Sequence, residues 1–234
     1  MYAIDYRKQE RHREMDTMNP GEIFWIFAPS SVSGTTTVRL IACDIPGIFS
    51  KVVGVLTLNH FNILNAKSYR EKNKSYHIFD IQPLPGIMSE TQRLEMARRH
   101  LDMVVSGKLD LSAQVATQRG SFENSGFHTA SQSPPQVVID NDRSALFSVV
   151  QVAASDFPGL LFSVTDMFFK HGVHIHKAEI STKNNEVLDI FYVKDSMGLK
   201  LTSVHKMSGL KAAIEKVLSQ PVGGGLKSNN KHQR

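Results

Sequence analysis

Cysteine is nearly missing from this chain: Cys43 stands alone, which excludes an intrachain disulfide and fits a reducing compartment. It lies in an apolar, strand-like run, where a thiol serves as a small core residue rather than a nucleophile. Long apolar runs are also lacking. Nothing approaches the ~18 consecutive apolar residues of a membrane-spanning helix. The opening residues, Met1 to Lys8, have no signal-peptide h-region, so the expected location is cytoplasmic, away from any membrane. Tryptophan occurs once, at Trp25. The net charge of +5 hints at an acidic partner. Yet the basic residues are scattered over Arg7–Arg13, Lys67–Lys74 and the tail from Lys227, with no arginine-rich face carrying interleaved aromatics, which argues against nucleic-acid binding.

What is present is a repeat. Ala42-Cys-Asp-Ile-Pro-Gly-Ile-Phe49 returns as Ala154-Ser-Asp-Phe-Pro-Gly-Leu-Leu161, 112 residues later. Ala66 matches Ala178, Ile78 matches Ile190, Phe79 matches Phe191 and Gly86 matches Gly198 at the same offset. Two copies of one small α/β unit follow.

In the first copy, Thr36–Ala42 alternates and is β-branched, as a strand does. Asp44 then suits a helix cap with Pro46 in the first turn, and Ile48, Val52, Val55 and Leu56 recur at helical spacing. Phe61–Tyr69 and Ser75–Ile81 read as strands around a polar turn. Ser89-x-x-Gln92 is a capping box that opens a helix with Leu94, Ala97, Leu101 and Val104 on one side, stopped by Gly107. Leu109–Val115 reads as a fourth strand, giving βαββαβ. In the second copy, Val137–Asp142 is a lead-in strand and turn, followed by a strand at Phe147–Ala154 and a helix carrying Leu160, Leu161, Val164, Met167 and Phe168. Strands at Val173–Ser181 and Val187–Val193 flank Lys183-Asn-Asn-Glu186, and a last helix runs from Thr202 to Leu218. The expected division is an N-terminal extension and docking segment over 1–34, a first domain over 35–116 and a Ser/Gln/Asn/Gly/Pro linker over 117–136. A second domain follows over 137–220, then a disordered tail over 221–234.

With the copies aligned, Asp44-x-Pro-Gly47 with Asn62-Ile-x-x-Ala66, and Asp156-x-Pro-Gly-Leu-Leu161 with Gly172-Val-x-Ile-x-x-Ala178, resemble ACT domains. Ile139–Ser144 and Asp189–Asp195 more closely resemble the C-terminal tandem ACT region of the bifunctional protein-PII uridylyltransferase/uridylyl-removing enzymes, over residues 36–218. The resemblance implies an α+β fold of two ferredoxin-like βαββαβ (ACT) domains. It implies a regulatory, allosteric sensor of a free amino acid, glutamine first, in nitrogen metabolism. It also implies a homodimer or intramolecular ACT pair and a possible protein partner. No His-Asp dipeptide occurs, so the phosphohydrolase signature of that enzyme is missing. The only Asp-x-Asp, Asp140–Asp142, lacks the Gly-Ser loop of a nucleotidyltransferase. The chain is therefore expected to be non-catalytic and to need no cofactor or metal. The alternative is a fragment or degenerate paralogue that docks a catalytic part outside this chain.

The candidate ligand residues are those of the two repeated turns: Asp44, Ile45, Gly47 and Ile48, and Asp156, Phe157, Gly159 and Leu160. A helix N-terminus suits a carboxylate, glycine permits close approach of a ligand to the backbone, and the aspartates suit an ammonium group. The competing reading is structural, with Asp capping, Pro fixing the turn and Gly relieving strain. His171, His174 and His176 invite a metal, but no acidic or thiol partner is spaced to complete a site, so they read as exposed or interface histidines. Asp189 and Asp195 fall in a strand and a turn and do not form a catalytic pair. Lys67, Arg70, Lys72 and Lys74 read as a solvated hairpin. An RNA-binding surface would need Tyr76, Phe79, Phe191 and Tyr192 exposed together. His77 in the first copy stands where the second has Asp189, so the two sites need not be equivalent.

Overall fold

The computed structural model describes residues 18–30, 34–43, 45–124, 134–183 and 186–219. The expectations for residues 1–17, Asp44, the core of the linker, the tip of the Lys183–Glu186 turn and the tail lie outside the described residues.

The first copy opens with β1 (Ile23–Pro29), a strand that carries Trp25 within the segment expected over 1–34. Then come β2 (Thr36–Cys43), α1 (Ile48–Leu58), β3 (Phe61–Glu71), β4 (Lys74–Pro83), α2 (Glu90–Val105) and α3 (Leu111–Asn124). The second contains β5 (Gln136–Asp140), β6 (Ser148–Ser155), α4 (Leu160–Lys170), β7 (Val173–Glu179), the two-residue β8 (Thr182–Lys183), β9 (Glu186–Asp195) and α5 (Val204–Ser219). The capping box is present, with Ser89 accepting from the Gln92 N–H at 3.3 Å and Gln92 Oε1 accepting from the Ser89 N–H at 3.0 Å.

One reading is corrected. Leu109–Val115 is not a strand, since Leu111–Asn124 is helical. The edge position beside β2 is already filled by β1, which pairs along it from Ile23↔Ala42 to Pro29↔Thr36. In the same way β5 pairs along β6. Each unit is thus a βαββα core whose fourth strand precedes it in sequence. Asp110 turns the chain into α3 by accepting from the Ala113 N–H at 3.0 Å, as a helix-capping side chain does.

The two sheets join into one path, β1-β2-β4-β3-β7-β9-β6-β5. At the joint β3 and β7 run antiparallel with Asn65↔Glu179, Ala66↔Ala178 and Lys67↔Lys177 in register. The repeat-equivalent alanines face one another, so an internal pseudo-twofold axis passes between them. The bulges obey it too, falling at Ile63/Asn65 and at Ile175/Lys177. Above the joint α1 packs against α4. The helices cover one face of the sheet, where Phe79, Phe168 and Phe191 are fully buried, and Phe168 meets Phe191 edge-on at 5.0 Å. On the opposite face Cys43, fully buried, sits with Met18 and Ile41 as a core residue. Tyr76 and Tyr192 point to that face while Phe79 and Phe191 face the helices, so the four do not form one stacking surface.

Ala66 and Ala178 are 1% and 0% exposed beneath the helix pair. A larger side chain there has no free volume, and overpacking a filled core costs roughly 1–3 kcal/mol. Ala178→Phe is expected to lower the urea-unfolding free energy by about 2 kcal/mol, and an unchanged value would contradict this account of the joint.

Candidate functional site

Both repeated turns end on a left-handed glycine that is itself the helix N-cap: Gly47 has φ 65° and Gly159 has φ 88°. Among the described residues neither N-cap glycine is joined by a side-chain cap, and the expectation for Asp44 lies outside them. Uncapped first-turn N–H groups and the helix dipole leave a place that favours a negative group.

The first turn opens on a cavity of about 300 Å³. Its floor is the ends of β3 and β4, its near wall the stretch from Ile45 to Ser50, and its far wall comes from the second copy, through the last turns of α4 and the start of β7. Ile45, Gly47 and Ile48 line it. Spacing arguments did not place His77, Arg70, Ser68, Ser75, Thr165, Phe169, His174 and His176 there. Arg70 therefore faces a cavity instead of belonging to a merely solvated hairpin. His171, by contrast, ends α4, with its Nδ1 2.9 Å from the Met167 carbonyl oxygen. Among the described lining residues there is one permanent cation, Arg70, and no carboxylate.

His77 is the unusual member. It is 3% exposed, edge-on to Phe49 at 5.8 Å, and neither ring nitrogen has a hydrogen-bond partner among the described residues. Burial, aided by the charge of Arg70, pushes its pKa down to about 3, so the ring is neutral and offers one donor and one acceptor. Leaving such a group unsatisfied costs roughly 1–3 kcal/mol. A partner within the cavity would recover that cost. Burial also lowers the pKa values of His174 and His176.

The second turn is different. A methyl group on Gly159 would come within 2.6 Å of Val115 Cγ1 on α3, and the Arg119 guanidinium lies 3.7 Å from the centre of the Phe157 ring. Leu160 is buried in the core and Asp156 is exposed. At the position equivalent to His77, Asp189 is 1% exposed and accepts from the Ser181 N–H at 3.2 Å. Burial pushes its pKa up to about 7, the Ser181 bond opposes that, and the nearby Asp156 adds to the rise. Among the described residues no three His, Cys, Asp or Glu side chains gather as metal ligands, and no helix is long and apolar enough to cross a membrane.

Two ferredoxin-like α+β units, joined at a sheet edge with a crevice between them, form the tandem architecture that the sequence resemblance implied. The chain resembles the C-terminal region of bifunctional uridylyltransferase/uridylyl-removing enzymes. It is 30% identical over 196 residues to that of Rhodospirillum rubrum, covering 83% of this chain and 21% of the relative. Against Gluconobacter oxydans it is 29% identical over 194 residues, covering 80% and 20%. Against Azospirillum brasilense it is 30% identical over 193 residues, again covering 80% and 20%. The chain thus spans about a fifth of the length of these curated relatives. No protein-family model matches it. A crystal structure assigned as a glycine cleavage system transcriptional repressor aligns over 78% of this chain and 91% of its own, at 13% identity and a TM-score of 0.27, below the level at which a shared fold is assigned.

Proposed function

We propose that this chain is a non-catalytic, cytoplasmic regulatory module that binds one small amino acid, glutamine as first candidate, in the crevice beside Gly47. The observation that carries this reading is His77, a buried imidazole with two unpartnered nitrogens lining a cavity between the two units. The α1 N-terminus and Arg70 suit the ligand's carboxylate, and neutral His77 suits a polar side-chain group that both donates and accepts. Because the walls come from both copies, a bound ligand favours the arrangement of the halves that closes on it, and only that difference in affinity passes on a signal. Nitrogen or amino-acid metabolism is the setting that the similarity to uridylyltransferases supports. A second reading rests on the same similarity: the module docks against a catalytic part of uridylyltransferase type.

Thermal unfolding with each of the twenty amino acids tests the sensor. Ligand at about 100 times its Kd adds about 2.7 kcal/mol, which for a chain of this size raises Tm by roughly 5–10 °C. Glutamine is expected to give such a rise, and His77→Phe, which keeps a ring but removes both nitrogens, is expected to abolish it. No rise with any of the twenty would overturn the sensor reading in favour of docking.

A further inference from the structure

The repeat builds two equivalent turns, so the dyad puts the counterpart of the first crevice beside Gly159, and the chain treats the two places differently. At the position equivalent to Phe169, which crowds Gly47 from the second copy, the first copy has the smaller Thr57. Helix α3 lies against the turn that Thr57 would otherwise have faced. The contacts described for it fall on one stripe. Leu111 sits where a methyl group on Gly54 of α1 would come within 2.6 Å of it, and Val115 does the same at Gly159. One turn further on, Arg119 lies over Phe157, and Gln118 Nε2 is 3.3 Å from His60 Nδ1. Ser112, Ala113, Gln114, Ala116 and Thr117 are exposed. Val115 and Arg119, four residues apart, share a helix face, and that face lies against the second repeated turn.

We propose that α3 is an internal ligand of the second crevice: a helix that docks there reversibly, closes that crevice to any free ligand and leaves the module with a single open site. The physical grounds are three. Among its described side chains two apolar ones, Leu111 and Val115, are buried, whereas α1 buries a continuous face, and an element held by fewer buried apolar side chains is the kind that opens locally before the core does. It takes no place in the sheet, so its departure breaks no strand pairing. It also touches α1 of the first copy and the β6–α4 turn of the second, so it bridges the same two units that form the open crevice. This inference concerns the second copy's turn and does not rest on any ligand at Gly47.

The test has two parts. In the 234-residue chain carrying Val115→Cys the only other thiol is Cys43, which is fully buried. The new thiol is expected to react with a disulfide reagent at least tenfold faster than Cys43, and a further tenfold faster when Phe157→Ala removes the ring under Arg119. Equal rates at the two cysteines would show that α3 opens only with global unfolding and would overturn the proposal. In the second part, a fluorescent peptide of residues 109–124 is titrated into the full chain and into the V115D/R119S chain. It is expected to bind the variant at least tenfold more tightly, and a peptide carrying the same two changes is expected not to bind. Equal binding to both chains, or none to the variant, would count against α3 as an exchangeable occupant. Both measurements read the second crevice alone, so they stand whatever the amino-acid screen at the first crevice returns.

Discussion

Replacing Asp189 with asparagine is expected to raise the unfolding free energy by up to about 4 kcal/mol at about pH 8 and to change it little at about pH 3. Burial raises this carboxyl from 3.8 to about 7 in the folded chain. Its contribution to stability is therefore complete below the unfolded value and is lost as pH climbs to about 7. A rise of about three pKa units corresponds to roughly 4 kcal/mol. Asparagine keeps an acceptor for the Ser181 N–H without the buried charge. The equivalent residue of the first copy titrates in the opposite sense. His77 is depressed from 6.5 to about 3, so its contribution is complete above the unfolded value and is lost as pH falls through that range. Between about pH 4 and pH 6.5 the two slopes oppose one another, and the unaltered chain is expected to show only weak pH dependence from this pair. Asp189→Asn exposes the histidine slope, up to about 1.4 kcal/mol per pH unit, with stability rising as pH rises. Urea titrations at several pH values read this directly. A flat profile for the variant would mean that His77 is not held neutral by burial.

If the sensor proposal holds, Gly47→Val is expected to remove the ligand-induced stabilisation, weakening the amino acid at least about a hundredfold, and to cost the free chain about 2 kcal/mol. The backbone at φ 65° is one that L side chains avoid, at roughly 1–2 kcal/mol for a non-glycine residue. The first added carbon would lie 2.9 Å from the Phe169 ring. That ring is 41% exposed and can swing outward, which limits the loss of stability. It does not spare the crevice, because the valine fills the space a carboxylate needs beside the α1 N-terminus. A variant that still shows the full Tm rise with the bound amino acid would remove this turn from the site.

Much of the fold was legible because a repeat is read twice. Alternation in β2 and β6, the helical spacing after each Pro-Gly and the Ser89–Gln92 box all state the local structure without help from distant parts of the chain. Leu109–Val115 misled because Leu109, Leu111, Ala113 and Val115 alternate as a strand does, while Leu111 and Val115 are also four apart. Asp110 supplied a cap signal for the helix. What decided between them was tertiary: β1 had taken the only strand position left beside β2. The site was half legible. The repeat pointed to both turns with equal force, and nothing in their residues says that α3 covers one of them. The substitution of His77 for Asp189 marked the asymmetry, but spacing cannot show that a histidine is buried without partners. His174 and His176 do share one face; that this face lines a crevice depends on α4 and β3, far off in sequence.

The dyad between Ala66 and Ala178 also governs how the molecule can associate. By pairing β3 with β7 the chain has spent on itself the strand edges through which two separate units would have met. At the ends of the described path only β1 and β5 remain, the first seven residues long and the second five. Proline lies at Pro20 and Pro29 around one, and at Pro134 and Pro135 before the other, where a ring in place of an N–H discourages further ladder growth. Assembly of copies is thereby steered toward faces rather than edges, and a filament of end-to-end sheets is the architecture this arrangement guards against.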